Sequence, residues 1–292
     1  VGGGSVIDIA KSVNILSSQE EKPESIITGR SKINNKGKPL IAIPTTSGSG
    51  SEATHFAVVY IGKQKYSLTH EFILPDYAIT DPQLTFNLPP DITAASGMDA
   101  FSQAIESYWN VNANEESKKY SAEAITLILN NLIRAVNTSD EESRINMSKG
   151  AHLAGKAINI TKTTASHALS YSMTSNFGTI HGQAVGITLG EFLKYNYNVS
   201  REDLNGRKSL SEVKNNLDEL LKLLGCKDVM EGKTLINELM IKTGLKTKLP
   251  ELNIKTEGDL KLIINEVNLE RLQNNPRKVT EEGLEEILKN IS

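Results

Sequence analysis

Residues 2–16 read GGGSVIDIAKSVNIL, a glycine-rich turn followed at once by an amphipathic segment. The apolar side chains of that segment keep the i, i+3, i+4, i+7 spacing of one helix face: Val6, Ile9, Ala10 and Val13. Glycines let a backbone approach a phosphate closely, and a helix N-terminus offers free N–H donors. The pattern therefore indicates phosphate binding by Gly2, Gly3, Gly4, Ser5 and Asp8, although a purely structural turn or a linker remnant would look the same.

A second Gly/Ser cluster, IPTTSGSGSEAT at residues 43–54, follows a short apolar strand. It combines small hydroxyl side chains with a flexible backbone, as an anion-binding loop requires. A mobile linker is the alternative, but a linker directly after a buried strand is unusual. The predicted contacts are Thr45, Thr46, Ser49, Gly50 and Ser51. Two such clusters in one α/β unit favour a dinucleotide as the ligand.

The chain divides near LPP, residues 88–90. Before it, strands are expected within 39–46, 54–61, 63–70 and 76–81, the middle two as a hairpin in a mostly parallel, covered sheet. After it, helices are expected at 93–109, 115–137, 140–157, 163–175, 182–195, 208–224, 231–243, 257–267 and 279–291. We predict an α/β dinucleotide-binding domain at 1–88 and an all-helical domain at 89–292. The first residues, VGGGS, suggest that the α/β domain is truncated at its start.

The amino-acid composition argues against several classes of binding partner. The 292 residues are 38% hydrophobic and carry a net charge of −3, which argues against a nucleic-acid or membrane-surface partner. No apolar run is long enough to span a membrane, and no signal peptide is visible. The single cysteine, Cys226, forms no internal disulfide and suits a cytoplasmic location.

A candidate metal set begins in GMDAFSQAIESYWN, residues 97–110. Asp99 and Gln103 are four residues apart, so a helix would present both on one face. His167 and His181 lie fourteen residues apart on different predicted elements. One carboxylate and two imidazoles are a reasonable ligand set for a transition metal. From the spacing alone, two unrelated histidines are the more common explanation of such a pair.

Four motifs in order resemble the iron-containing (group III) alcohol dehydrogenases: GGGSVIDIAK, PTTSGSGSEAT, LPPDITAASGMDA and SHALSYSMTSNFGTIHGQAVGI. The resemblance covers essentially the whole chain. It implies a dehydroquinate synthase-like architecture, binding of NAD or NADP by the two Gly/Ser segments, and Lys65 near the nicotinamide ribose. It also implies a small aldehyde or alcohol as substrate and a homodimer as the common assembly.

The same resemblance implies that Asp99, His167 and His181 hold a catalytic Fe²⁺ or Zn²⁺. The family usually has a third histidine four residues after the aspartate, where this chain has Gln103. Three interpretations follow. The site is altered but works with Gln103 beside or on the metal, it binds metal weakly, or the chain is a metal-free, catalytically silent relative. We favour the first, because three protein ligands with an open position are normal for a catalytic site.

The segment NITKTTASHALSY, residues 159–171, places Lys162, Thr163 and Thr164 just before His167. A cation and two hydroxyls could bind an anionic substrate group, whereas a capped helix start with a solvated lysine is the structural alternative. Within the family, the chain is similar to the branch that reduces phosphonoacetaldehyde to 2-hydroxyethylphosphonate. The expected activity is therefore that reduction, with oxidation of small uncharged alcohols as the alternative.

Overall fold

The structure is a computed structural model that describes residues 1–62 and 64–292. The first part contains two helices and four strands: α1 Gly4–Leu16, α2 Pro23–Ile27, β1 Ile41–Ala42, β2 Phe56–Ile61, β3 Gln64–Thr69 and β4 Tyr77–Ala78. The remainder is helical: α3 Pro90–Trp109, α4 Glu115–Asn137, α5 Glu141–Thr161, α6 Ala165–Phe177, α7 His181–Tyr197, α8 Leu210–Leu223, α9 Val229–Lys242, α10 Glu257–Asn265, α11 Leu269–Leu272 and α12 Glu281–Asn290. This order confirms the predicted fold class.

The strands form two small sheets instead of the predicted mostly parallel sheet. β2 and β3 pair antiparallel, from Phe56 opposite Thr69 to Ile61 opposite Gln64, as the hairpin prediction required. A short connection can join only antiparallel neighbours. β1 and β4 pair in parallel over two residues each. The expectation of a sheet covered on both faces was wrong for the described residues, since Ile41 and Tyr77 are exposed.

Helix α1 forms as predicted, but the apolar face read from the sequence is not the buried one. Val6, Ile9 and Val13 are exposed, whereas Ile7 and Ile15 on another face are buried. Lys11 shares the buried face and is 1% exposed. A charged residue can occupy that face because its ammonium group donates to backbone carbonyls in the neighbouring loop.

Helix α3 forms the centre of the helical part and packs against α4, α5, α7 and α8. Its apolar side chains, among them Met98, Phe101 and Ile105, are fully buried in the main core. Every helix predicted after residue 90 is present, and the short α11 is an additional one. The predicted boundary at residues 88–90 falls in the turn that leads into α3. Within the described ranges, no helix has both the length and the apolar character that crossing a bilayer would need.

Candidate active site

A cleft of about 460 Å³ lies between the α/β part and the helical part. Most of the predicted site residues line it: Gly4, Ser5, Asp8, Thr46, Ser49, Ser51, Lys65, Asp99, Gln103, Thr163, His167 and His181. The other predicted residues, Gly2, Gly3, Thr45, Gly50, Lys162 and Thr164, are outside its lining. Tertiary folding therefore brings the predicted cofactor loops and the predicted metal ligands to one place.

Asp99, His167 and His181 converge at the inner end of this cleft. Each offers one ligand atom, and these atoms lie within 4.8 Å of one another. Nε2 of His167 is 3.2 Å from Oδ1 of Asp99, and Nε2 of His181 is 3.8 Å from the same oxygen. Helix α3 supplies the carboxylate, while α6 and α7 supply the imidazoles. One carboxylate and two imidazoles facing a common point fit a divalent transition metal.

Glu106, which the sequence analysis did not single out, holds His167 in place. It lies seven residues after Asp99 on α3 and is completely buried. Its Oε2 meets Nδ1 of His167, and its Oε1 accepts from the backbone N–H of Ser166 at 2.9 Å and from the Thr164 hydroxyl at 2.8 Å. A carboxylate on the far nitrogen of a ligating histidine fixes the orientation of the ring and raises its basicity. The i, i+7 spacing from Asp99 was the available signal.

The electrostatic environment distinguishes the two histidines. Burial opposes protonation of His167, but Glu106 and Asp99 outweigh it and raise the pKa to about 10. Burial lowers the pKa of His181 to about 4, although Asp99 opposes that shift. Ser170 lies against Nδ1 of His181 at 3.4 Å. The pKa values of the two imidazoles are therefore shifted in opposite directions, although both rings face Asp99.

The two polar atoms of the Gln103 side chain have different surroundings. Its amide nitrogen donates to the backbone carbonyl of Ser49 at 3.4 Å, and so joins α3 to the second Gly/Ser segment. Its Oε1 is buried and, among the described residues, has no hydrogen-bond partner. A buried amide oxygen without a partner costs free energy. Gln103 lines the cleft one helical turn after Asp99, as a residue beside a cation site would, and its unpartnered acceptor is available to a ligand that reaches it.

A close backbone contact positions His181. Gly182, the second residue of α7, lies directly against α3, where an added Cβ would be 1.8 Å from the carbonyl oxygen of Ala95. Only glycine allows this approach. Since Ala95 is one helical turn before Asp99, the contact sets the distance between the carboxylate and the imidazole of His181.

The two Gly/Ser segments lie side by side. The N–H of Gly2 donates to the carbonyl of Ile43 at 3.1 Å, and that of Thr45 donates to Gly2 at 3.0 Å. Farther along, Gly50 has φ of +61° and lies so close to Gly155 of α5 that a Cβ would be 2.4 Å from its Cα. The second segment is therefore fixed by packing and is not a mobile linker.

Asp8 and Lys11 of α1 fasten this arrangement. The Lys11 ammonium donates to the carbonyls of Ser51, Thr54 and Phe56, each at 2.7 Å. Asp8 accepts from the Ser51 hydroxyl and from the backbone N–H of Val58 at 2.9 Å. Burial lowers the pKa of Lys11 to about 8. Asp8 thus connects the helix to the second segment while also lining the cleft.

Two cations lie in the cleft beside Tyr171. Nζ of Lys65 is 3.1 Å from the centre of the Tyr171 ring, and that ring stacks on His181 at 6.2 Å. Burial would raise the pKa of Tyr171, but Lys65 and Arg271 lower it to about 8. Arg271, also missed in the sequence analysis, comes from α11 and lies over the Phe56 ring at 5.6 Å. No periodic pattern marked α11, so nothing in the sequence pointed to this arginine.

The predicted substrate group is only partly assembled. Thr163 lines the cleft, but Thr164 is fully buried and bonds to Glu106 and to the indole of Trp109 at 3.0 Å. Lys162 forms an ion pair with Glu270 at 2.7 Å. The contacts of Thr164 fit a structural role better than the predicted substrate contact, because its hydroxyl already serves the residue that orients His167.

Two family models together match most of the chain. The model described as "Fe-containing alcohol dehydrogenase family, C-terminal" matches residues 93–292, and the model described as "Iron-containing alcohol dehydrogenase" matches residues 1–82. A long-chain-alcohol dehydrogenase of Geobacillus thermodenitrificans is 40% identical over 67% of this chain and 50% of that protein. The chain thus spans about half the length of that relative.

Two relatives match over nearly the whole chain. A phosphonoacetaldehyde reductase of Streptomyces viridochromogenes is 29% identical over 99% of this chain and 74% of that protein. The crystal structure of a sulfoacetaldehyde reductase from Bifidobacterium kashiwanohense, in complex with NAD⁺, superposes with a TM-score of 0.87 at 32% identity. That alignment covers 100% of this chain and 74% of the other.

Proposed function

This chain belongs to the iron-containing alcohol dehydrogenase family, and we propose that it is a metal-dependent, NAD(P)H-linked reductase that converts an aldehyde to a primary alcohol. The observation that carries the proposal is the convergence of Asp99, His167 and His181 in a cleft that the Gly/Ser segments also line. A metal-ligand set and a dinucleotide loop in one cleft are the two parts that such a reaction needs.

The metal, the cofactor and the protein side chains have separate roles in the proposed reaction. Bound Fe²⁺ or Zn²⁺ would supply Lewis-acid polarisation of the carbonyl, and NADH or NADPH the hydride. Asp99, His167 and His181 would hold the metal, and Glu106 fixes the His167 ring so that its Nε2 faces Asp99. The buried helix α3 excludes water from the inner wall of the cleft. Reduction of one aldehyde consumes one NAD(P)H and one proton and releases one alcohol and one NAD(P)⁺.

The preferred substrate that we propose is phosphonoacetaldehyde, which would be reduced to 2-hydroxyethylphosphonate. Two relatives support an anionic two-carbon aldehyde, since one is named for phosphonoacetaldehyde and the other for sulfoacetaldehyde. The cations Lys65 and Arg271 in the same cleft support it further. An uncharged aldehyde would itself offer no counter-ion to either of these positive charges.

Oxidation of NADH and NADPH by the metal-loaded protein tests the proposal, with phosphonoacetaldehyde beside uncharged aldehydes of similar size. We expect turnover that disappears on His181→Ala and on chelation and returns with Fe²⁺ or Zn²⁺. Equal or better turnover of the uncharged aldehydes would favour an ordinary alcohol dehydrogenase. Absence of stoichiometric metal after reconstitution, together with no turnover of any aldehyde, would indicate a silent relative.

A further inference from the structure

Arg271 is a buried cation that has one guanidinium nitrogen without a hydrogen-bond partner. The residue is 6% exposed and its side chain lines the cleft. Its Nη1 is buried without a hydrogen-bond partner, and among the described residues no carboxylate lies within 4 Å of the guanidinium. Its backbone is fixed, because its N–H donates to the Asn268 side chain at 2.9 Å. A buried, unpaired guanidinium is costly unless a ligand supplies the acceptor.

The cation that the sequence suggested for this role is already paired. Lys162 meets Glu270 at 2.7 Å, and Glu270 is a cleft-lining acid next to Arg271 in the chain. Lys162 therefore cancels the negative charge that would otherwise weaken an anion site. Arg271 lines the cleft with its Nη1 unpartnered, whereas Lys162 is paired with Glu270.

Lys65 and Tyr171 line the same cleft as Arg271 and the proposed metal ligands. Lys65 lies against the Tyr171 ring on the cleft side, and no carboxylate of the described chain forms an ion pair with it. Tyr171 also stacks on His181. A single aromatic residue thus links the cationic part of the cleft to the metal-ligand part. A substrate with a carbonyl at one end and an anion at the other matches a cleft that is lined by both the metal-ligand candidates and the two cations.

We propose that Arg271 binds the phosphonate or sulfonate group of a short aldehyde substrate through its unpartnered guanidinium nitrogen. Lys65 adds a second positive charge. Together they determine specificity for anionic aldehydes. This inference rests on the proposed reductase function. Arginine suits the task because its planar donors can bond two oxygens of a phosphonate or sulfonate at once. Lys162 has an indirect part, which is to neutralise Glu270.

Three aldehydes of nearly equal shape test the proposal: phosphonoacetaldehyde, sulfoacetaldehyde and the uncharged 3,3-dimethylbutanal. For Arg271→Leu we expect kcat/KM to fall about 100-fold for the two anionic aldehydes, mainly through KM, and to change less than about threefold for the uncharged one. Arg271→Lys should recover part of the loss, because it restores charge without the planar fork. A larger loss for only one anionic aldehyde would identify which of the two the site accepts.

Arg201→Leu is the matched control, since Arg201 is exposed and distant in sequence from the site. It should change none of the three reactions, and thermal unfolding should show that Arg271→Leu is folded. Equal losses of Arg271→Leu on charged and uncharged aldehydes would overturn the proposal. The proposal would also be overturned if kcat/KM for the anionic aldehydes fell in Lys162→Met and not in Arg271→Leu.

A binding measurement separates this inference from the reductase function itself. Methylphosphonate should bind to the metal-loaded protein by calorimetry, and Arg271→Leu should weaken that binding about 100-fold. If methylphosphonate binds in this way but no aldehyde is reduced, the reductase function fails and the anion site stands. Binding that is unchanged in Arg271→Leu, or that NADH abolishes by competition, overturns the assignment of Arg271 to the substrate.

Discussion

His167 lies between two buried carboxylates, with Nδ1 against Glu106 and Nε2 3.2 Å from Oδ1 of Asp99. Glu106 also accepts from the backbone N–H groups that begin α6, at Ser166 and His167. The same carboxylate therefore caps the helix and orients the imidazole that the helix carries. The position of one proposed metal ligand thus depends on a side chain that does not face the metal.

Replacement of Glu106 by Gln should weaken metal binding by about 10–100-fold, because the amide keeps the shape but loses the charge that orients the His167 ring. Chelator competition measures the affinity directly. Glu219→Gln is the control, since Glu219 pairs with Lys118 at the surface. Unchanged metal affinity in folded Glu106→Gln would show that the contact serves only helix capping.

Gln103 should influence metal affinity through its unpartnered Oε1. We expect Gln103→Leu to lower the affinity for Fe²⁺ or Zn²⁺ and Gln103→His to raise it, because imidazole is the stronger donor for these ions. Metal titration of the two variants beside the original chain gives the comparison. Identical affinities in all three proteins would mean that Gln103 lines the site without touching the metal.

Gly182→Ala should reduce the free energy of unfolding by about 1–3 kcal/mol or more, because the new methyl group must displace α7 from α3. The cause is the 1.8 Å approach to the carbonyl of Ala95. Since that displacement moves His181 away from Asp99, metal affinity should fall as well. Gly258→Ala is the control, because its Cβ would meet only the Thr256 hydroxyl at 3.5 Å. Chemical unfolding of both variants measures the change in stability, and metal titration measures the change in metal affinity.

Lys11→Met should reduce the free energy of unfolding by on the order of 3 kcal/mol, because three buried carbonyls lose their donor. It should also weaken dinucleotide binding, since those carbonyls belong to the second Gly/Ser segment and the start of β2. Urea unfolding and NADH titration measure the two effects. Lys222→Met on the exposed side of α8 should leave both values unchanged.

The stability provided by Lys11 should depend on pH. Burial lowers its pKa from 10.5 to about 8 in the folded chain, so the unfolded chain binds more protons there between those values. The free energy of unfolding of the original chain, measured relative to Lys11→Met, should therefore rise between about pH 8 and about pH 10. Urea unfolding of both proteins across that range provides the test. A difference that shrinks with rising pH would contradict the lowered pKa.

Much of the site could be predicted from local patterns. Asp99 and Gln103 share a helix face because their spacing is one turn, and the helical segments after residue 90 follow from apolar periodicity. Periodicity failed on α1, where two faces are apolar and the buried one carries Lys11. A pattern of hydrophobic residues cannot show that three carbonyls from another segment will accept a buried ammonium group.

The sequence by itself determined the family, the two Gly/Ser segments and the three metal-ligand candidates, because each depends on residue type and local spacing. Only the tertiary structure decided that Glu106 orients His167, that Glu270 pairs with Lys162 and that Arg271 keeps an unpartnered guanidinium nitrogen. Those three facts depend on which charges meet after folding and on how far water is excluded from them. Contacts between residues as distant as 106 and 167, or 162 and 270, arise from helix packing, which local pattern does not encode.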